Sequence, residues 1–295
     1  MGRIVLKVDI DTKVGLIEGV PTLMRILGRR NIKASFFIAM GPDNSGRALK
    51  RLLKPGFLRK QIKARAASSY GVKTMLYGVL LPGPIIARQA PELFSRLMAA
   101  SHEVGIHGWD HVYWHDKVRF LPPELVRAQL APAVRLFKDI VGMPPAALAA
   151  PGWQVSNEAW RIMADLGITH TSCTRGYGPF LPRMEGGRTL PLLEIPTTMP
   201  SLDEALGQVA SLEEALPWLC GHIKRDALNV FTLHGEVEGR NFAVFFEKFL
   251  DRLMAMNMDF ITLGQAALQS VAGAASGAFK WGEIRGRAGE LALQV

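Results

Sequence analysis

Residues 1–12 read "MGRIVLKVDIDT". The run from Ile4 to Ile10 is rich in branched residues, as a buried strand is, and two acids, Asp9 and Asp11, stand at its end. One residue apart, they leave a strand on the same side, where two like charges among apolar neighbours repel unless a cation or solvent separates them. Outward from this strand, similar runs recur at Ala34 to Ala39, Val104 to His107, Ile168 to Ser172, Leu193 to Pro196, Asn229 to His234 and Phe260 to Leu263. Helical spacing lies between them. Gly19 to Arg30 puts Val20, Leu23, Met24 and Leu27 on one face, and Ala90 to Ala100, Glu124 to Val141, Ser156 to Leu166, Leu212 to Arg225 and Phe242 to Met256 repeat the pattern. Ser156 and Ser211 read as helix N-caps, with Glu214 completing a capping box after Ser211. This alternation predicts a parallel α/β barrel or a doubly wound sheet, without internal repeats.

The polar residues fall at the carboxyl ends of these strands. Asp9 and Asp11 close the first, His107 the third and His234 a late one, while "AAPGW" (Ala149 to Trp153) follows a run of small residues. In α/β barrels the reactive groups gather at that end, where loops vary without harming the core. "IHGWDH" (Ile106 to His111) spaces His107 and His111 four apart, so both imidazoles reach one ion if the chain turns helically after the strand. Each feature has a plainer reading: a cap and a loop acid, a surface histidine pair, a core histidine at 234. Their gathering on successive strand ends favours a single site.

Composition narrows the class. A chain of 295 residues, 48% hydrophobic, buries a substantial core, and one domain with an insertion is the expected organisation. Two cysteines, Cys173 and Cys220, build no disulfide framework and suit a reducing compartment. The N-terminus has no apolar leader, and no apolar run reaches the roughly 18 to 20 residues of a bilayer span, so the cytoplasm is expected. The net charge of +9 is local: from Asn44 to Pro91 there are ten basic residues and no acid, while the remainder is balanced at 25 basic against 26 acidic.

In their order, "KVDIDT", "HGWDH", "AAPGW" and "TLHGE" resemble the polysaccharide deacetylases of carbohydrate esterase family four, whose catalytic unit is the NodB-homology domain. The resemblance spans nearly the whole chain. The runs "IEGVPTL", "GPDNSGRAL", "EVGIHGWDH", "IPTTMP" and "HGEVEG" are similar to the branch acting on a lipid-linked 4-deoxy-4-formamido-L-arabinose. The resemblance implies a distorted, incomplete (β/α) barrel over residues 1–295, and the acid-free basic run marks 43–91 as an amphipathic insertion in it. It implies Asp11, His107 and His111 as ligands of one divalent ion, for which mixed nitrogen and oxygen donors admit Zn²⁺, Co²⁺, Mn²⁺ or Ni²⁺. Asp9 becomes the general base and His234 the acid that protonates the departing amine. Pro151, Gly152 and Trp153 become substrate contacts, and Arg175, outside the family pattern, is expected at Asp9, at a substrate phosphate or in solvent, with a place in the site favoured. The implied reaction removes formate from the sugar on undecaprenyl phosphate, in the aminoarabinose modification of lipid A that confers resistance to cationic peptides such as polymyxin. The chain departs from the family twice: Ala149 takes the place of an arginine that orients the base, and "HTSCTRG" offers Cys173 and Arg175 where an aspartate often supports the histidine.

The basic segment from Arg47 to Arg65 reads as two short amphipathic pieces parted by Pro55 and Gly56. Arg47, Lys50, Lys54, Arg59, Lys60 and Lys63 supply the charged side, and "TMLYGVLLPGPII" follows. Such a segment suits an anionic membrane surface, where each basic residue contributes about 1 kcal/mol. A lipid-linked sugar and the cytoplasmic side of the bacterial inner membrane are therefore the expected partner and place. Nucleic acid, the rival for a basic patch, has no recognised motif here. Two other readings compete: a soluble deacetylase of an N-acetylated sugar or small cyclic amide, which gives the insertion no task, and a non-catalytic sugar- or lipid-binding protein, which gives the polar set none.

Overall fold

The computed structural model describes residues 2–48, 72–287 and 289–295. Twelve strands are present among them: β1 (Arg3–Ile10), β2 (Ser35–Ile38), β3 (Glu103–Ile106), β4 (Ala147–Ala149), β5 (His170–Ser172), β6 (Leu181–Pro182), β7 (Leu193–Glu194), β8 (Leu228–His234), β9 (Asp259–Ile261), β10 (Ser276–Gly277), β11 (Phe279–Gly282) and β12 (Leu291–Gln294). Seven run parallel in the order β7-β5-β4-β3-β2-β1-β8 and curl into an open half-barrel, the distorted, incomplete (β/α) barrel that the sequence implied. β9 pairs with Arg3 to Val5 of β1. β8 covers Arg3 to Asp9 along one edge of β1, so β9 and β2 share the other. Between β7 and β8 the ring is bridged without a strand, as Thr198 and Met199 donate backbone N–H groups to the Val230 carbonyl.

The inward faces form layers. Register pairs Val5 with Val230, Lys7 with Thr232 and Asp9 with His234 on the two central strands. The lowest layer is apolar and continues into Phe37, Ala147, Leu193, Ile261 and Leu263. The period-2 alternation of a strand then carries the same face upward through Lys7 to Asp9, while Ile4, Leu6, Val8 and Ile10 point outward into the larger core under the helices. Barrel geometry thereby delivers polar groups to one mouth.

Most helices lie where the periodicity places them: Val20–Gly28, Glu92–Ala99, Pro123–Val141, Asn157–Asp165 and Ala243–Ala255. Ser156 caps its helix through Ala159 N–H. Ser211 accepts from Glu214 N–H, but the Glu214 carboxylate reaches back to Ala210 N–H, one residue short of a closed capping box. The helix predicted from Leu212 to Arg225 stops at Cys220, after Pro217. β4 carries three alanine-sized or leucine side chains and has no strand signature in the sequence; the backbone ladder to β3 and β5 holds it.

Candidate active site

Asp9 and Lys7 share the inward face of β1. The Lys7 ammonium is fully buried and stands 3.0 Å from Asp9 Oδ2. Position 149, where the family's arginine was expected, holds alanine, and the cation paired with this carboxylate comes from its own strand. The other oxygen, Asp9 Oδ1, is buried without a hydrogen-bond partner and lies 4.0 Å from His107 Nδ1. The carboxylate is thus fixed on one side and open on the other.

Asp11 lies one residue beyond the strand. Its Oδ1 is 3.2 Å from His107 Nε2 and its Oδ2 is 3.2 Å from His111 Nε2. His107 Nδ1 is 2.9 Å from the Ala149 carbonyl, an acceptor only, so that nitrogen carries a proton and Nε2 is the ring atom turned to Asp11. Between that nitrogen and the carboxylate belongs either a proton or a metal ion. Asp11 Oδ1 is buried, with His107 Nε2 as its neighbouring polar atom. Burial pushes the Asp11 carboxyl up, yet His111 and His107 outweigh it and hold it well below the ordinary value. Among the described residues these three donors form one group, all within 4.8 Å of one another, and they fit a divalent ion with positions left for water and substrate.

The two histidines do not meet as helical neighbours. His107 follows β3, Gly108 turns the chain at φ +74°, and His111 opens the helix His111–Lys117. Asp110 caps that helix by accepting from Tyr113 N–H, and Asn44 donates to its other oxygen at 2.7 Å.

His234 ends β8, beside Asp9 in register. Burial lowers its pKa, but Asp11, Glu238, Asp9 and Asp203 together overcome this and raise it. Glu238, pushed up to about 7 chiefly by burial, accepts the His234 backbone N–H at 2.8 Å. Asp203, on the short helix Leu202–Leu206, is one of these four acids, and neither Cys173 nor Arg175 adds a negative charge there. Cys173 is buried behind Glu194, which accepts from Cys173 N–H, Thr174 N–H and two threonine hydroxyls.

Pro151, Gly152 and Trp153 form one tight turn after β4, with Gly152 at φ +62° and Trp153 at φ +55°. A Cβ on Gly152 would overlap the His115 ring. The left-handed tryptophan is held by its indole N–H, which donates to Thr197 Oγ1 at 2.8 Å; Thr197 in turn meets Thr232. Lys7 lies 5.4 Å from the indole centroid. Arg175 is not brought to Asp9. It stacks 5.0 Å from the Trp153 centroid, pairs with Glu204 at 2.6 Å and donates to the Thr197 and Met199 carbonyls.

Of the basic residues assigned to a membrane, Lys50, Lys54, Arg59, Lys60 and Lys63 lie outside the described residues. Arg47 is exposed and donates to the Gly78 carbonyl. Asp43 N–H bonds the Pro84 carbonyl, which closes the base of the segment. Val79, Leu80 and Leu81 are exposed beside it, Leu80 by 76%. No helix among the described residues is long and apolar enough to cross a membrane.

The sequence reading passed over Lys7, Asp203 and Glu238. Only Lys7 carried a usable signal, a charge inside an apolar strand in phase with Asp9.

The polysaccharide deacetylase pattern matches residues 4–171. A protein of Shewanella sediminis (strain HAW-EB3), named as a probable 4-deoxy-4-formamido-L-arabinose-phosphoundecaprenol deformylase, is 33% identical over 88% of this chain and 84% of its own. Its namesake from Wigglesworthia glossinidia brevipalpis is 29% identical over 85% and 87%. Among solved structures, a Mycobacterium smegmatis protein named for polysaccharide deacetylation superposes with a TM-score of 0.66 at 16% identity, covering 96% of this chain and 95% of the other.

Proposed function

The chain belongs to the polysaccharide deacetylase family, and from that premise we propose that it is a metal-dependent amide hydrolase that removes formate from a lipid-linked 4-deoxy-4-formamido-L-arabinose. The family supports hydrolysis of an amide, and the names of the two curated relatives support formate and the undecaprenyl phosphate carrier. In that reading the protein works in the aminoarabinose modification of lipid A and so in resistance to cationic peptides.

The observation that carries the chemistry is the flanking of Asp11, His107 and His111 by an anchored carboxylate on one side and a charged-site histidine on the other. When bound, a divalent ion polarises the amide carbonyl and acidifies a water molecule. Asp9, with Oδ2 fixed by Lys7 and Oδ1 open, accepts the proton as water adds to the formyl carbon. His234, whose protonated form the surrounding acids favour, gives its proton to the amine nitrogen as the carbon–nitrogen bond breaks. The products are formate and the free amino sugar.

Docking at an anionic membrane through the 43–91 segment completes the proposal. Exposed Val79 to Leu81 and the acid-free charge of the flanking sequence support it. Release of formate from formamido-arabinose undecaprenyl phosphate by metal-loaded protein tests the reaction. Formate release is expected, with little or no acetate from the N-acetyl analogue. The reverse preference would replace deformylation by deacetylation.

A further inference from the structure

Two arginines flank Trp153, and they are differently engaged. Arg175 is spent on Glu204 and two backbone carbonyls. Arg287 stacks closer, its guanidinium carbon 4.3 Å from the indole centroid, yet its nearest carboxylates are 3.6 Å (Asp203) and 3.8 Å (Glu204) away, too long for hydrogen bonds. Its side chain remains 19% exposed.

The segment that presents Arg287 is firmly attached. It links β11 and β12, an antiparallel pair. β12 is sewn to the barrel by Arg175 N–H to the Ala292 carbonyl and Gln294 N–H to the Arg175 carbonyl, and Gln154 donates to the Glu290 carbonyl beside the Trp153 turn. Gly286 takes φ +90°, a conformation that glycine adopts without strain, immediately before Arg287. This places a stacked guanidinium beside the Trp153 turn and 3.6 Å from Asp203, one of the acids whose charge acts on His234. A guanidinium laid on an indole keeps its edge N–H groups in a fixed plane, suited to two parallel hydrogen bonds with a phosphate.

We propose that Arg287 is the phosphate-reading residue of the substrate site, binding the phosphodiester that joins the sugar to its lipid while the formamide lies at Asp11, His107 and His111. This rests on the function proposed above and names the group by which the lipid-linked sugar is told from a neutral one.

The test compares two water-soluble substrates, a short-alkyl phosphodiester of formamido-arabinose and its methyl glycoside, on wild type, Arg287→Gln and Arg287→Lys. The ratio of kcat/KM for phosphodiester over glycoside should fall about 10- to 100-fold in Arg287→Gln, mostly through KM, with Arg287→Lys between. A ratio unchanged in both variants overturns the proposal. So does an equal fall in kcat on both substrates, which would make Arg287 a support for Asp203 and His234. Calorimetric binding of the short phosphodiester to the metal-free proteins separates this inference from the reaction. If wild type releases no formate, the proposed function fails, and weaker binding by Arg287→Gln alone still bears the inference out, whereas equal binding overturns it.

Discussion

Asp9 owes its usefulness to Lys7. A buried carboxylate beside metal ligands needs a compensating charge, and the family's arginine position holds Ala149 here, so the charge comes from two residues back on the same strand. Breaking a buried pair leaves the survivor uncompensated, and Lys7→Met should lower stability by about 3–5 kcal/mol in chemical denaturation. Adding Asp9→Asn to Lys7→Met should restore most of that stability, since neither charge remains, and restore no activity. His234 gives the second residue-scale expectation. Its protonated form donates, so turnover holds below its pKa and is lost as pH rises through it. Asp203→Asn removes one of the charges that raise that pKa, and the basic limb of the kcat profile should move to lower pH. Asp9, Asp11, His107, His111 and His234 could be picked out as candidates because their residue types are chemically committed and fall at strand ends, and the structure brings Asp11, His107 and His111 together. Asp203 could not, because a surface-like "SLDE" helix start gives no hint of the charge effect it has on His234.

The elements meet at contacts where no side chain fits. Gly19, entering the helix Val20–Gly28, packs so closely on the turn after β8 that a Cβ there would lie 2.0 Å from the Gly235 carbonyl oxygen. Gly19→Ala must displace the backbone next to His234. It should cost about 1–3 kcal/mol in thermal or chemical unfolding and lower kcat without loss of metal. Long periodic helices and branched strands were readable from sequence, because burial on one face repeats along the chain. β4 was not readable: alanines carry no strand preference, and its pairing is imposed by neighbours distant in sequence. The Pro151 to Trp153 turn was recognised as a motif, but its left-handed tryptophan, costing about 1–3 kcal/mol of local strain, is visible only with the Thr197 bond that holds it.

At the scale of the molecule, charge and chemistry are separated. The barrel is close to neutral and carries the site, and the excess of positive charge lies in one segment whose base bonds, through Asn44 and Asp110, to the start of the helix bearing His111. Reversing Lys50, Lys54, Arg59 and Lys63 to glutamate should weaken sedimentation with anionic vesicles and cut hydrolysis of the undecaprenyl substrate in them, while a short-chain soluble substrate is turned over nearly as before. Raised salt should mimic the change in wild type, since screening shortens below about 8 Å. The central claim is that Asp11, His107 and His111 bind the ion while Asp9 does chemistry beside it. Metal content of purified Asp11→Ala, His107→Ala, His111→Ala and Asp9→Asn, read together with formate release, tests it most directly. The first three should lose both metal and turnover, and Asp9→Asn should keep its metal while turning over about 10²- to 10⁴-fold more slowly. Full metal occupancy in the three ligand variants, or metal loss with retained activity in Asp9→Asn, would contradict the assignment.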